Sequence, residues 1–212
     1  MRMFSRLLLM LVPLPCFLFG QSWEVGGSGG FGVYHNLNVT SGSASGTAGF
    51  DSGFALGGVI GNNMGRWLGG EARYTYRSDD LQVSSGSTKA KATANSQAIH
   101  YDLLVYGASK EASVRPFVSA GAGVKLYRGT GAEPVFQPLS NLVVLTHTNE
   151  AQPLISLGGG VKIPVSRGAL IRFDFRDYLT PVPTSLLATP ANSRISGWLH
   201  DFVFLVGISA VL

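Results

Sequence analysis

The chain has 212 residues, 28 of them Gly, with 45% hydrophobic residues but only 13% charged. An ordinary soluble domain carries about 25% charged residues and about 7% Gly, and disorder needs high charge with few aromatics, so a disordered or nucleic-acid-tail chain is excluded. Gly, about 1 kcal/mol worse than Ala at each helical position, speaks against a helical enzyme. No stretch after the first twenty residues has the ~20 consecutive apolar positions of a membrane-spanning helix, despite a mean hydropathy of +0.23. The length suits one domain.

Residues 1–20, MRMFSRLLLMLVPLPCFLFG, read as a secretory signal peptide. Arg2 and Arg6 supply the charged start, Leu7 to Val12 begin the apolar stretch, and Gly20 is the small residue before cleavage. Cys16 follows Pro15 rather than a small residue, so lipidation is not expected. Without the signal, Lys+Arg falls from 16 to 14 against 12 Asp+Glu, and net charge from +4 to +2. That is too little to argue for a nucleic-acid partner. Residues 21–212 contain no Cys, so neither disulfides nor thiol chemistry is expected of them.

From Trp23 onward period two recurs, as it must where successive side chains point to opposite faces. In 23–34, Val25, Phe31 and Val33 share one face, with Glu24, Ser28 and many Gly on the other. In 51–62, Phe54, Leu56 and Ile60 share a face. In 67–77, Ala72, Tyr74 and Tyr76 oppose Glu71, Arg73, Thr75 and Arg77. In 97–106, Ile99, Tyr101, Leu103 and Val105 oppose His100 and Asp102. In 117–127, Val118, Ala120, Ala122, Val124 and Leu126 oppose Ser119, Gly121, Gly123, Lys125 and Tyr127. In 154–163, Ile155, Leu157, Val161 and Ile163 oppose Ser156, Gly158, Gly160 and Lys162. In 170–176, Ile171, Phe173 and Phe175 oppose Arg172, Asp174 and Arg176. In 198–212 Phe202, Phe204, Val206, Ile208, Ala210 and Leu212 share a face, although Val203 and Leu205 make the other apolar too. Eight strands are thus predicted.

Their connections alternate. Long Ser/Thr/Asn/Gly-rich stretches occupy 35–50, 78–95, 129–149 and 181–196, whereas the links at Asn62 to Arg66, Ser109 to Val114 and Ser166 to Gly168 are short. An antiparallel up-and-down meander of even strand number produces that pattern, and closing it removes the edges. The composition of 40–49 and 84–96 predicts mobile loops without an evident binding surface.

A closed eight-stranded barrel is either soluble with an apolar inside or membrane-embedded with an apolar outside. The polar face carries Glu24, Glu71, Arg73, Arg77, His100, Asp102, Lys125, Lys162, Arg172, Asp174, Arg176 and Asp201. The signal segment, the loop alternation, the low charge and the lack of a helix to cover either end favour the membrane. A ~10-residue strand tilted by ~45° spans the hydrocarbon, and a barrel satisfies its backbone donors internally. The charges then point into a lumen barely wide enough for side chains and should pair there: Glu24, Glu71, Asp102, Asp174 and Asp201 with Arg73, Lys125, Lys162, Arg172 and Arg176. A structural network is expected rather than a conducting channel.

Three segments carry a family resemblance: Val25-Gly26-Gly27-Ser28-Gly29-Gly30-Phe31-Gly32, Arg115-Pro116-Phe117 with Gly121 and Gly123, and Phe202-Val203-Phe204 near the end. With the overall pattern they make 21–212 resemble the small eight-stranded outer-membrane β-barrels, the family of the outer-membrane protein A barrel. The resemblance implies an all-β, eight-stranded transmembrane barrel in the outer membrane of a Gram-negative-type bacterium. It implies no reaction and no cofactor; the expected partners are outer-membrane lipid, lipopolysaccharide and the barrel-insertion machinery, with the chain a monomer. Leu212 stands where that family usually ends in an aromatic residue, and the periplasmic peptidoglycan-anchoring role of longer relatives is not expected. The expected role is structural, presenting surface loops. The alternatives are a small porin-like solute transporter and a soluble lipocalin-like periplasmic binding barrel.

Other motifs have plain explanations. Gly27 to Gly32 matches GxGxxG, but no helical pattern follows, as a dinucleotide site requires. Outer-membrane lipid A deacylases carry a His-x-Ser pair and a Glu; none of His35, His100, His147 and His200 has Ser two residues later. His147 and Glu150 share a loop, and His200 and Asp201 are sequential and point to opposite faces. No metal-ligand spacing occurs. Asn38-Val39-Thr40 matches a glycosylation acceptor by loop composition. Trp23, Trp67, Tyr76, Tyr101, Tyr127, Tyr178 and Trp198 are candidates for interfacial girdles where they lie near strand ends.

Overall fold

The computed structural model describes residues 23–131 and 136–212; the expected signal segment, 1–20, lies outside the described residues. The strands are β1 (Trp23–His35), β2 (Leu37–Ser41), β3 (Ala44–Phe50), β4 (Gly53–Asn63), β5 (Leu68–Ser78), β6 (Leu81–Ser85), β7 (Thr88–Ala92), β8 (Ala94–Tyr106), β9 (Arg115–Gly129), β10 (Val144–Leu145), β11 (Asn149–Ser166), β12 (Ala169–Pro181), β13 (Leu187–Ala188), β14 (Ser193–Ile195) and β15 (Trp198–Val211).

Eight of them close an antiparallel barrel in the order β1-β15-β12-β11-β9-β8-β5-β4. Closure runs along β1 and β15, from Glu24 opposite Val211 to His35 opposite His200, so no backbone edge is left open to lipid. Large apolar side chains on the outer phase face outward: Phe31 is 56% exposed, Ile99 57%, Leu103 59%, Val118 63% and Ile208 62%. The inverted, lipocalin-like arrangement is therefore overturned, because the large face is outside. Trp23 and Trp67 face outward at the short-turn end and Trp198 at the long-loop end, the two levels at which amphipathic rings meet headgroups. Tyr127 and Tyr178 do not join a girdle; they are in phase with Lys125 and Arg176 and lie buried inside.

The long connections differ from the irregular loops expected of them. Segments 37–50 and 81–92 form hairpins β2–β3 and β6–β7, which pair with each other through Thr47 to Phe50 and with β14 to build a five-stranded sheet, β14-β2-β3-β6-β7. Two-residue turns close both hairpins, Gly42-Ser43 and Gly86-Ser87, with φ of 58° at Gly42 and 57° at Gly86. Glycine at the first central position with positive φ is what a type II′ turn requires. The remaining two long connections contribute the β10–β13 pair.

Period two operates in these hairpins as well. Leu37, Val39, Ala48 and Phe50, with Leu81, Val83, Ala90 and Ala92, turn to one side and bury themselves against Leu142, Val143, Leu145, Leu186, Leu187 and Leu199. Phe50 stacks on Tyr127 at 5.0 Å and tilts against Tyr34 at 4.9 Å, so this second core sits directly on the aromatic side chains that end the lumen. Asp51 and Lys91 clasp its exposed rim. The hydrogen bond from Lys91, with a backbone donor from Ser52, holds the Asp51 carboxyl below its ordinary value. That small contribution, present above the unfolded carboxyl pKa, is lost as pH falls below it; for so exposed a pair it is about 0.2–1 kcal/mol.

Phe50→Ala should cost the cap about 3–5 kcal/mol and leave the barrel closed. Limited proteolysis of 37–50 and 81–92 should then accelerate, on the order of a hundredfold, while the unboiled protein keeps its fast gel mobility. Loss of that mobility would mean that cap and barrel do not separate.

Candidate functional site: a charge-filled lumen

The barrel order sets which side chains can meet. β5 and β12 are four strands apart in the ring of eight, so they face each other across its full diameter, as do β1 and β9. Nearest the short-turn end, Arg172 of β12 donates from Nη1 to Glu24 Oε1 at 2.6 Å, from Nη2 to Glu71 Oε2 at 2.9 Å, and from Nε to Asp174 Oδ2 at 2.8 Å. Lys162 Nζ donates to Glu24 Oε2 at 2.6 Å and Glu71 Oε1 at 2.7 Å. Arg73 of β5 reaches Glu71 at 3.0 Å and, across the axis, Asp174 at 3.2 Å. Arg176 completes this tier, with Nε 3.2 Å from Asp102 Oδ2. Four carboxylates meet four cations, all of them buried, the condition under which buried charge is tolerated.

A polar layer follows. His100 Nδ1 lies 2.8 Å from Asp102 Oδ1, and Nε2 lies 3.1 Å from the Tyr178 hydroxyl. A carboxylate only accepts, so Nδ1 carries the proton that Asp102 receives. Tyr178 also meets Thr75 of the opposite strand at 3.0 Å. Ala55, Ala98, Leu154, Val203 and Leu205 fill the rest of this level.

The upper tier is smaller. Lys125 Nζ donates to Asp201 Oδ2 at 2.6 Å and, across the diameter, to the Tyr34 hydroxyl at 2.8 Å. Arg77 lies 3.5 Å from Asp201 and 3.8 Å from Asp79. Tyr34 donates to Asp79, which also accepts from Ser96 at 3.1 Å. Above it, Tyr127 and Thr180 hydroxyls meet at 2.7 Å, and the cap core begins.

Glycines on the inner phase make room for these long side chains. A Cβ on Gly32 would overlap the Arg77 guanidinium, and one on Gly160 would come within 2.9 Å of Phe117 Cζ. Phe117 itself points inward, with Lys162, Arg172 and Arg176 at 5.6, 6.0 and 5.6 Å from its ring centre, a geometry that suits a cation over a π face.

Glu24, Glu71, Arg73, Asp102, Lys162, Arg172, Asp174 and Arg176 therefore come together in the lower tier, with His100 at its upper boundary. Arg77, Lys125 and Asp201 meet separately above. Asp79, Tyr34, Tyr178 and Arg115 also belong to the interior, although they are not among the polar-face residues expected from the sequence. Parity points to all four, each in phase with a charged neighbour; Asp79 follows Arg77 by two residues and keeps its phase although it lies one residue beyond the end of β5. Outside the barrel, His200 Nδ1 pairs with Asp177 at 2.8 Å, not with Asp201, which points inward. Glu150 lies on β11 rather than in a loop with His147; it accepts from the Ser185 amide at 2.6 Å and from Gln152, so it ties the start of β11 to the connection after β12. Among the described residues no three His, Cys, Asp or Glu side chains converge as metal ligands.

Arg172→Met should lower unfolding stability by about 3–5 kcal/mol, because it takes one cation from Glu24, Glu71 and Asp174 and leaves four buried carboxylates against three cations. Denaturant titration in lipid vesicles reads this directly, and a change below about 1 kcal/mol would show that the tier is not coupled through Arg172.

Comparison with known proteins agrees with this architecture. Neisserial surface protein A is 11% identical, with 91% of this chain and 99% of that chain covered and a TM-score of 0.51. The N-terminal β-barrel domain of Pseudomonas aeruginosa OprF is 12% identical, with 90% and 97% covered and a TM-score of 0.47. Ail, the attachment invasion locus protein of Yersinia pestis, in complex with the heparin analogue sucrose octasulfate, is 9% identical, with 90% and 99% covered and a TM-score of 0.43. No curated protein matches the chain in sequence. At these identities the likeness is one of fold. Residues 7–192 match the family model for the outer membrane protein beta-barrel domain, and with this closed barrel and its apolar exterior the chain belongs to that family and resides in the outer membrane.

Proposed function

We propose that the protein is a non-conducting structural barrel that holds a folded platform at the cell surface. In outer-membrane barrels the short turns are periplasmic and the long loops extracellular, which puts the five-stranded sheet outside the cell. One observation carries the reading: diametrically opposite strands are bonded through their side chains at three levels, Glu71 and Arg73 with Arg172 and Asp174, Thr75 with Tyr178, and Tyr34 with Lys125. A solute on the axis would have to break charge pairs at two of them, and then cross the apolar core of the cap. The outward side of the platform is polar, with Asn38, Thr40, Lys89, Lys91 and Arg194 exposed. Residues 1–20 serve as its export signal, the insertion machinery assembles it, and it stands as a monomer among lipopolysaccharide.

Planar-bilayer recording tests this. The protein should show no discrete conductance steps, and Glu71→Ala should lower the melting temperature without opening a channel. Solute-sized steps with an unchanged melting temperature would support a small porin-like transporter instead.

A further inference from the structure

The charge pairing of the lumen leaves one cation over. Arg115, at the periplasmic start of β9, is 6% exposed, yet among the described residues no carboxylate forms an ion pair with it. Its guanidinium carbon lies over the Tyr106 ring, 3.3 Å from the ring centre, and it donates to Asn63 Oδ1 at 2.7 Å, to the Arg66 carbonyl at 3.1 Å and to the Ala108 carbonyl at 3.3 Å. These neutral partners orient it without cancelling its charge.

Arg115 lines a pocket of about 180 Å³ that opens between the periplasmic turns. Two more cations stand around it, Lys110 on the 107–114 turn and Arg167 on the 167–168 turn, neither in an ion pair among the described residues. The acid of the pocket, Glu24, has both oxygens committed, one to Arg172 and one to Lys162. Glu111 is fully exposed and bonds to Ser109. Lys162 is neutralised by Glu24 and Glu71. Three positive charges outside any ion pair among the described residues thus converge on a concavity, with Glu111 acting on Lys110 and Arg115 from the exposed rim; one of the three is buried, where the attraction for an anion is stronger than in water.

We propose that this pocket is a phosphate-binding site at the periplasmic mouth of the barrel. Arg115 supplies buried positive charge and the one N–H that each terminal nitrogen keeps beyond its bonds to Asn63 and Arg66, and Lys110 and Arg167 complete the charge from the rim. Inorganic phosphate, with roughly one to two negative charges near neutral pH, balances these cations better than a single carboxylate does, and a phospholipid headgroup contributes about one. The group has two sources, free inorganic phosphate and the headgroup of an anionic phospholipid of the inner leaflet.

The test is calorimetric titration of inorganic phosphate into the full barrel in nanodiscs, at physiological chloride. In phosphatidylcholine discs one saturable site is expected, weakened at least tenfold by Arg115→Gln. Because Arg115 also braces two turns, the double variant Lys110→Ala with Arg167→Ala serves as the second probe. It changes only the rim, should keep the fast gel mobility of the unboiled barrel, and should weaken binding severalfold. Retention of the signal in phosphatidylglycerol discs identifies free phosphate as the source; its loss there identifies the lipid headgroup. No saturable binding in phosphatidylcholine discs, or equal affinity in the folded double variant, overturns the proposal.

Discussion

A charged side chain on the inner face of an eight-stranded barrel has little water to turn to. An opposite charge must meet it, either from two residues along its own strand, as Glu71 meets Arg73 and Asp174 meets Arg172, or from another strand of the ring. In this chain the requirement is met at two heights, by Arg172 and Lys162 between Glu24 and Glu71, and by Lys125 and Arg77 beside Asp201. The rest of the molecule follows from that filling. Inner glycines such as Gly32 and Gly160 leave space for guanidinium and phenyl groups, and the outer face needs only apolar bulk for lipid.

The filling also shapes the long-loop end. The lumen ends in the rings of Tyr34 and Tyr127, whose upper faces are apolar, and an apolar surface at the mouth invites cover. The cover comes from the chain itself: Phe50 lies on both rings, and the hairpins bring leucines and valines behind it. Polar pairing within the membrane and apolar packing above it are thus joined at one aromatic layer. At the opposite end no such cover forms among the described residues, and Arg115 faces a pocket rather than a core.

Much of the wall is legible in the amino-acid sequence. Alternation in 97–106 or 170–176 assigns each residue to a face, since the pleat leaves no other choice, and the twelve inward polar residues follow from it. Other features are hidden for identifiable reasons. Gly42-Ser43 and Gly86-Ser87 are two-residue hairpin signals flanked by alternating apolar residues, but the Ser- and Thr-rich composition around them suggests irregular loops. Tyr127 and Tyr178 resemble interface aromatics by position alone, whereas their phase with Lys125 and Arg176 puts them inside.

What the sequence by itself determined is therefore local: strand phase, the number of wall strands, the order of long and short connections, and which side of the wall is greasy. Only the tertiary structure decided which charge meets which. That depends on the stagger of the closed sheet, which lifts residues of opposite strands to a common height and leaves no trace in spacing along the chain. The same holds for the cap, whose strands β3 and β6 pair with the whole of β4 and β5 lying between them in the chain. And it holds for Arg115, which forms no ion pair among the described residues, a fact visible only once Glu24 is seen bound to Arg172 and Lys162.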